Sequence, residues 1–272
     1  MAFIQTSAAR ELSRAIATAL LFACSPAMAG DLVLYWGAES GVLPTERCWD
    51  HVNPQFAPPI ALERGAVVLG ETTNSGNCYF EHYYPPISFA DGAAIQASVK
   101  VDTSTWYAAN PYKRAGFSIG MSDSAGKWAR LMIASDRLLL HTADQNWSDL
   151  TYLVNTTDAF HTYRVEYTAT TATVYMDGVA VLTDTLGSGT AANRALVGDL
   201  TGLAYSKTRT QYVQVEGVPV CSVADIDCSG VVNASDLAIL IGAWGTSLCE
   251  ADLNGDGNVN GLDLAILLGM WG

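Results

Sequence analysis

The chain has 272 residues, half of them apolar, with 27 acidic against 14 basic side chains and a formal charge of −13. A polypeptide this acidic is a poor ligand for nucleic acid or an anionic membrane, and its natural partners are neutral polymers or cations. Its length allows one domain with a large core and a second, smaller module.

Residues 1–29 have the layout of an export signal. Arg10 and Arg14 precede an apolar run from Ala15 to Cys24, and Ala27-Met28-Ala29 offers a small-x-small cleavage site. The run is too short to span a bilayer and no later stretch approaches 18 apolar residues, so a secreted protein, extracellular or at the cell surface and without a membrane span, is expected. Leu21-Phe22-Ala23-Cys24 loosely imitates a lipidation box, which leaves a lipoprotein reading open.

Without that leader 12 basic and 26 acidic residues remain, with five cysteines. Export is compatible with disulfides. Cys48 and Cys78 are the expected pair of the larger domain, closing a loop of about 30 residues at a gain of roughly 3 kcal/mol. Cys221, Cys228 and Cys249 allow one bridge and one free thiol, and spacing does not choose between them. They form no C-x-x-C and have no nearby His, which disfavours zinc.

Residues 30–218 read as β nearly throughout. Strand-like runs fall at 32–36, 66–70, 93–101, 115–121, 128–134, 137–143, 161–168, 172–176 and 179–185, separated by turn signals such as Asp91-Gly92 and Asp177-Gly178. In 161–168, Tyr163, Val165 and Tyr167 face one way and Arg164 and Glu166 the other. Asp177-Gly178 between two strands is a two-residue hairpin signal. Many short antiparallel strands without a helical period imply a sandwich or jelly roll. The run from Phe160 to Leu186, with its H-x-Y-R-V strand and V-Y-M-D-G hairpin, is similar to the concanavalin-A-like, laminin-G-like sandwich. That resemblance implies a fold rather than a function, because the sandwich hosts lectins, glucanases and adhesion domains alike.

Retaining glucanases of this fold carry paired carboxylates on one strand, in an E-x-D-x-x-E run or a close variant. No such run is present, although two carboxylates from separate strands can still meet in space. Gly116-Phe117-Ser118-Ile119-Gly120 matches the nucleophile-elbow pattern formally, but the residues after it enter a turn and another strand rather than a helix. His161 begins a strand and reads as structural, and Trp36 and Trp128 read as core. Candidate sugar platforms are the aromatics of loop-like stretches: Trp106, Tyr107, Tyr112 and Trp147, with Tyr79, Tyr83 and Tyr84 beside them. Packing within the sandwich is the competing use of each ring.

The C-terminal segment carries a duplication. Residues 225–245 and 252–272 agree at 12 of 21 positions when offset by 27. Positions 1, 3, 5, 9 and 12 of a calcium loop are Asp225, Asp227, Ser229, Asn233 and Asp236, then Asp252, Asn254, Asp256, Asn260 and Asp263. Position 6 is Gly230 or Gly257, where the loop turns sharply, and position 7, Val231 or Asn258, offers a backbone carbonyl. Calcium takes six to eight oxygens, and this spacing supplies them twice, so two Ca2+ sites are expected. From residue 210 onward there are eight acidic side chains and no Lys or Arg, a density that calls for a cation. The bland alternative is a pair of Asx-rich turns capping two helices without an ion. Each loop leads into a short apolar stripe, Leu237, Leu240, Ile241, Trp244 and then Leu264, Leu267, Leu268, Trp271, at i, i+3, i+4, i+7. Such helices need each other to be stable.

No helical period precedes Asp225. A calcium loop followed by a helix, duplicated and without an entering helix, resembles a dockerin of type I over about 221–272. The resemblance implies attachment to a cohesin-like or other cell-surface protein through loop positions 10 and 11, here Ala234-Ser235 and Gly261-Leu262. The second pair departs from the small hydroxyl pairs common in dockerins. The fold class expected is therefore mainly β: a concanavalin-A-like jelly-roll sandwich over 30–218 and a small helical dockerin over 219–272. The function expected is that of a secreted, calcium-binding protein with a carbohydrate- or surface-binding sandwich. A polysaccharide-active hydrolase or lyase, and a structural or adhesion protein, are the alternatives.

Overall fold

A computed structural model describes residues 31–272 apart from 47–48, 57–59, 70–76, 84–85, 108–113, 143–149, 191, 202–203 and 220. The expected leader, Cys48, Tyr84, Tyr112 and Trp147 lie outside the described residues.

Two antiparallel sheets face each other. The first contains β1 (Asp31–Gly37), β3 (Ala61–Glu63), β4 (Ala66–Leu69), β6 (Ala93–Ser104), β13 (His161–Tyr167), β14 (Thr171–Met176), β15 (Val179–Thr185) and β18 (Ser206–Gly217), in the order β15-β14-β13-β6-β18-β4-β3, with β1 also on β18. The second contains β2 (Asp50–Val52), β5 (Cys78–Tyr83), β9 (Phe117–Ser122), β10 (Lys127–Ala134), β11 (Arg137–His141), β12 (Thr151–Leu153), β16 (Gly187–Ser188) and β17 (Arg194–Asp199). Its order is β12-β11-β10-β9-β17-β5-β2, with β16 on β10. A hairpin of β7 (Trp106–Tyr107) and β8 (Arg114–Ala115) stands apart from both.

Strand periodicity builds the core. Ile95, Ala97, Val99 and Val101 of β6 meet Tyr163, Val165 and Tyr167 of β13 and, from the second sheet, Phe117, Ile119, Leu131, Ile133, Leu138 and Leu140. Burying each large apolar side chain is worth about 1.5–3 kcal/mol. Tyr167 stacks on Phe89 at 4.3 Å between ring centroids. Its hydroxyl accepts from the Met121 N–H and donates to the Ala129 carbonyl, both at 3.0 Å, tying β9 to β10. Asp177 and Gly178 both adopt positive φ, 50° and 80°, the geometry a two-residue hairpin between right-twisted strands requires.

Ser118 of the formal elbow lies mid-strand, 1% exposed. Gly116 and Gly120 are glycines for space: a Cβ on Gly116 would strike the Tyr205 backbone carbonyl, and one on Gly120 that of Ala129. The motif is therefore packing, not a nucleophile elbow.

The Cys48–Cys78 bridge is corrected. Cys78 is a free, buried thiol whose Sγ lies 3.3 Å from His51 Nε2 on the adjacent β2. Strand alternation turns Cys78 inward with Phe80, where burial first and then the charge of Asp199 push the thiol up to about 11. The bridge in the C-terminal segment is Cys221–Cys228, with Cα atoms 5.4 Å apart. Cys249 is disulfide-bonded too, so none of the three is the one free thiol expected among them.

After β18 the chain forms α1 (Ala234–Gly242) and α2 (Gly261–Gly269) around a separate cluster of Ala224, Val232, Leu240, Ala243, Ala251, Val259 and Leu267. Among the described residues no helix is long and apolar enough to cross a membrane.

Candidate functional site

The two loops share a common set of backbone-to-carboxylate hydrogen bonds. In the first, Asp225 accepts from the backbone N–H of Ser229 at 2.9 Å and of Gly230 at 2.8 Å. In the second, Asp252 accepts from Asp256 at 3.1 Å and Gly257 at 2.7 Å. Asp236 takes the N–H groups of Asp227 and Asn233 at 3.1 and 2.8 Å, as Asp263 takes those of Asn254 and Asn260 at 3.2 and 2.7 Å. Asn233 and Asn260 cap the two helices, each in a reciprocal box with the Asp three residues on. Gly230 and Gly257 turn the loops at φ 93° and 92°. Cys228, at the position matching Gly255, also has positive φ, at 52°.

Asp236 and Asp263 are fully buried and Asp225 nearly so. Burial opposes the charge on Asp236, but N–H groups of Asn233, Asp227 and Ile226 outweigh it and hold that carboxyl below the usual range. Carboxylate oxygens of Asp225, Asp227 and Asp236 lie within 4.8 Å of one another. An all-oxygen, carboxylate-rich donor set of this kind suits a hard divalent cation.

The halves interlock. The N–H of Gly245, just past α1, donates to the Val259 carbonyl of the second loop at 2.9 Å, and the N–H of Gly272, just past α2, donates to Val232 of the first at 3.2 Å. Only part of each predicted stripe turns inward. Leu240 and Leu267 are fully buried and Leu237 and Leu264 half-buried, whereas Ile241, Trp244, Leu268 and Trp271 are 46–54% exposed. Ala234, Ser235, Gly261 and Leu262, the expected partner contacts, are exposed at the helix starts.

Residues 223–269 match the model of the dockerin type I domain. The C-terminal module is a type I dockerin. Dockerin type I domains bind calcium and attach to cohesins in assemblies, and the acidic group of Asp225, Asp227 and Asp236 could hold a metal ion. No curated protein shows significant sequence similarity to the chain.

The sandwich that precedes the dockerin shares its fold with the conserved carbohydrate esterase of Shiga toxin-encoding bacteriophage phi24B: TM-score 0.51, 16% identity, 70% of this chain and all of that one covered. The laminarinase catalytic domain of Thermotoga maritima MSB8 aligns over 69% of this chain and 98% of its own at TM-score 0.46 and 11% identity. The Bacillus licheniformis beta-glucanase aligns over 68% and 98% at TM-score 0.44 and 11% identity.

The outer face of the second sheet carries a group of aromatic and charged side chains from adjacent strands. Registers β10–β9–β17–β5 bring Trp128, Ser122, Arg194 and Tyr83 into one row and Arg130, Gly120, Leu196 and Glu81 into the next, with Asp50 of β2 opposite Glu81. At the β10–β11 end the face is closed: the buried Trp128 meets the buried His141 edge-on at 4.9 Å and receives the Arg130 guanidinium at 5.1 Å. Trp128 is thus buried outside the inter-sheet core. Trp106 covers the neighbouring corner, resting on Ala115, Met132, Ala134 and Leu139 with Arg137 at 5.3 Å from its ring, and Tyr107 beside it is half-buried. Trp106 is a wall of the face rather than a free platform.

The β17–β5–β2 end is open. Tyr83 is 53% exposed, Tyr79 and Glu81 are half-buried, and Arg194 lies 3.0 Å from Glu81. Burial, then the Glu81 charge, raises the Tyr79 phenol. The sequence places Tyr79 and Tyr83 in a loop-like stretch, whereas they stand in a strand, four residues apart on one face. The alternation of Tyr79, Glu81 and Tyr83 was the available signal.

Proposed function

We propose that this is a secreted, two-calcium dockerin protein whose sandwich holds a polysaccharide across the open end of the second sheet's outer face. Tyr79 and Tyr83, about 13 Å apart at four residues along a strand, offer ring faces to sugar C–H groups, and Glu81, Arg194 and Asp50 offer hydroxyl partners. The observation that carries the binding reading is the composition of the central strands. Among the described residues, the outward positions of β9, β10 and β17 hold Ser, Gly, Trp, Arg, Met, Ala and Leu, and no carboxylate. The dockerin would then deliver this binder to a cohesin-bearing assembly, with Ala234, Ser235, Gly261, Leu262 and the exposed Trp244 and Trp271 facing the partner.

One observation favours hydrolysis as a second reading. Asp50 and Glu81 are direct cross-strand neighbours on one face. Such neighbours have Cβ atoms about 4.5–5.5 Å apart, compatible with the roughly 5–5.5 Å carboxylate separation of a retaining glycosidase. Glycan-array binding by the calcium-loaded protein, lost in Tyr83→Ala, is the result expected for a binder. Steady reducing-sugar release that vanishes in Glu81→Gln would replace binding with hydrolysis, and neither result on plant and algal glycans would remove both.

A further inference from the structure

Cys228 stands where the second loop has Gly255 and shares that glycine's left-handed backbone, φ 52° against 71°. A Cβ there crowds the following carbonyl, so glycine adopts the conformation freely and cysteine does not. The bond from Cys228 to Cys221 is what holds it. Two successive turns close the bridged segment. The Asp225 N–H donates to the Ser222 carbonyl at 3.0 Å, and the Cys228 N–H to the Asp225 carbonyl at 3.1 Å. Asp225 and Asp227, two of the three clustered carboxylates, lie inside that segment. The next two residues, Ser229 and Gly230, are those whose N–H groups point onto Asp225. The backbone of Cys228 therefore aims both donors. In the second loop the matching positions hold Leu248 and Gly255, and no cysteine lies within 252–263. Each loop carries three aspartates among its ligand positions, so charge does not set the two apart. The bond does.

We propose that the Cys221–Cys228 disulfide is a positioning device for the first calcium loop, a claim that rests on the two-calcium reading. It keeps Cys228 left-handed in the ion-free chain, so the loop meets its ion already shaped around Asp225. A loop preshaped in this way loses less conformational freedom on binding and holds its ion more tightly. Gly255 gives the second loop the same shape by having no Cβ. One position of the repeat is thus served by two chemistries, a covalent tether in the first half and a missing side chain in the second.

The test uses the full chain and two double variants. Cys221→Ser/Cys228→Ser cuts the tether, and Cys221→Ser/Cys228→Gly cuts it but supplies the residue the second loop uses. Amide hydrogen exchange without calcium reads the loop's shape directly. The Ser229 and Gly230 amides should exchange about tenfold faster in the serine variant, equivalent to roughly 1.4 kcal/mol, near the cost of holding a side-chain-bearing residue left-handed. The glycine variant should restore wild-type exchange, and the Asp256 and Gly257 amides should be unchanged in all three proteins. Titration with Ca2+, followed at the Gly230 amide resonance, should give the same order, the serine variant weaker by about tenfold and the glycine variant close to wild type. Unchanged exchange in the serine variant, or no recovery in the glycine variant, overturns the positioning role. Faster exchange at Asp256 and Gly257 as well makes the bond a brace of the whole module and likewise overturns it. The expected exchange without any response to Ca2+ refutes the metal reading, and the affinity claim with it, while upholding the bond's hold on the loop.

Discussion

Asp236 reaches back nine residues to accept the N–H of Asp227 at 3.1 Å, so position 12 of the first acidic loop closes on position 3. The loop folds around its own carboxylates, and removing them removes both the cation donors and the turn that presents them.

Calcium should therefore stabilise the dockerin by mass action, by about 2.7 kcal/mol at a hundredfold excess over the dissociation constant. Titration calorimetry of the full chain is expected to show heat for two ions, abolished in Asp225→Ala/Asp252→Ala. Absence of heat from the wild type at millimolar calcium would refute the metal assignment.

The dockerin core has only seven buried apolar residues, so it tolerates little loss. Leu267→Ala, at a fully buried site, should cost about 2–5 kcal/mol, which is on the scale of a small module's whole stability. Calorimetry should show the C-terminal transition lost and the sandwich transition kept.

Two buried tyrosines of β13 should respond oppositely to loss of the hydroxyl. Tyr167→Phe leaves the Met121 N–H and the Ala129 carbonyl short of a partner, a cost of about 1–3 kcal/mol. The Tyr163 hydroxyl is buried with no hydrogen-bond partner among the described residues, so Tyr163→Phe should be neutral or stabilising by about 1 kcal/mol. Denaturant midpoints of the two variants decide this, and equal losses would contradict it.

His161 gives the sandwich a pH dependence. Burial lowers its value, but Asp177 at 2.7 Å and Asp158 at 3.1 Å from the ring nitrogens outweigh that and raise it above 6.5. A folded value above the unfolded one means stability that is full below 6.5 and lost as pH rises through the folded value. The stability difference between wild type and His161→Asn should accordingly be larger at pH 5.5 than at pH 9, and an NMR titration of the ring should give a midpoint above 6.5.

The duplicated loops were legible because metal ligation fixes both residue type and spacing, and the clear strands of the sandwich because their inward positions are apolar. β18, which pairs with β6, β1 and β4, was not. Its inward positions include Ser206, Thr208 and Thr210, and a register shift between Thr210 and Tyr212 interrupts the alternation. Polar inward residues hide the period on which a strand reading rests. The helical stripes were half right because spacing locates an apolar face without saying who covers it. Ile241 and Leu268 follow the stripe yet look outward. The outer-face row of the second sheet was invisible because Glu81, Arg194 and Arg130 come from three strands that only pairing brings together.

The crossed bonds from Gly245 to Val259 and from Gly272 to Val232 bear on how the proposed metal sites would influence each other. Each loop anchors the exit of the opposite helix, so ordering one tightens the hinge on which the other depends. If both proposed sites take calcium, filling should accordingly be steep and mutual, with a Hill coefficient above 1 in a calcium titration of the full chain.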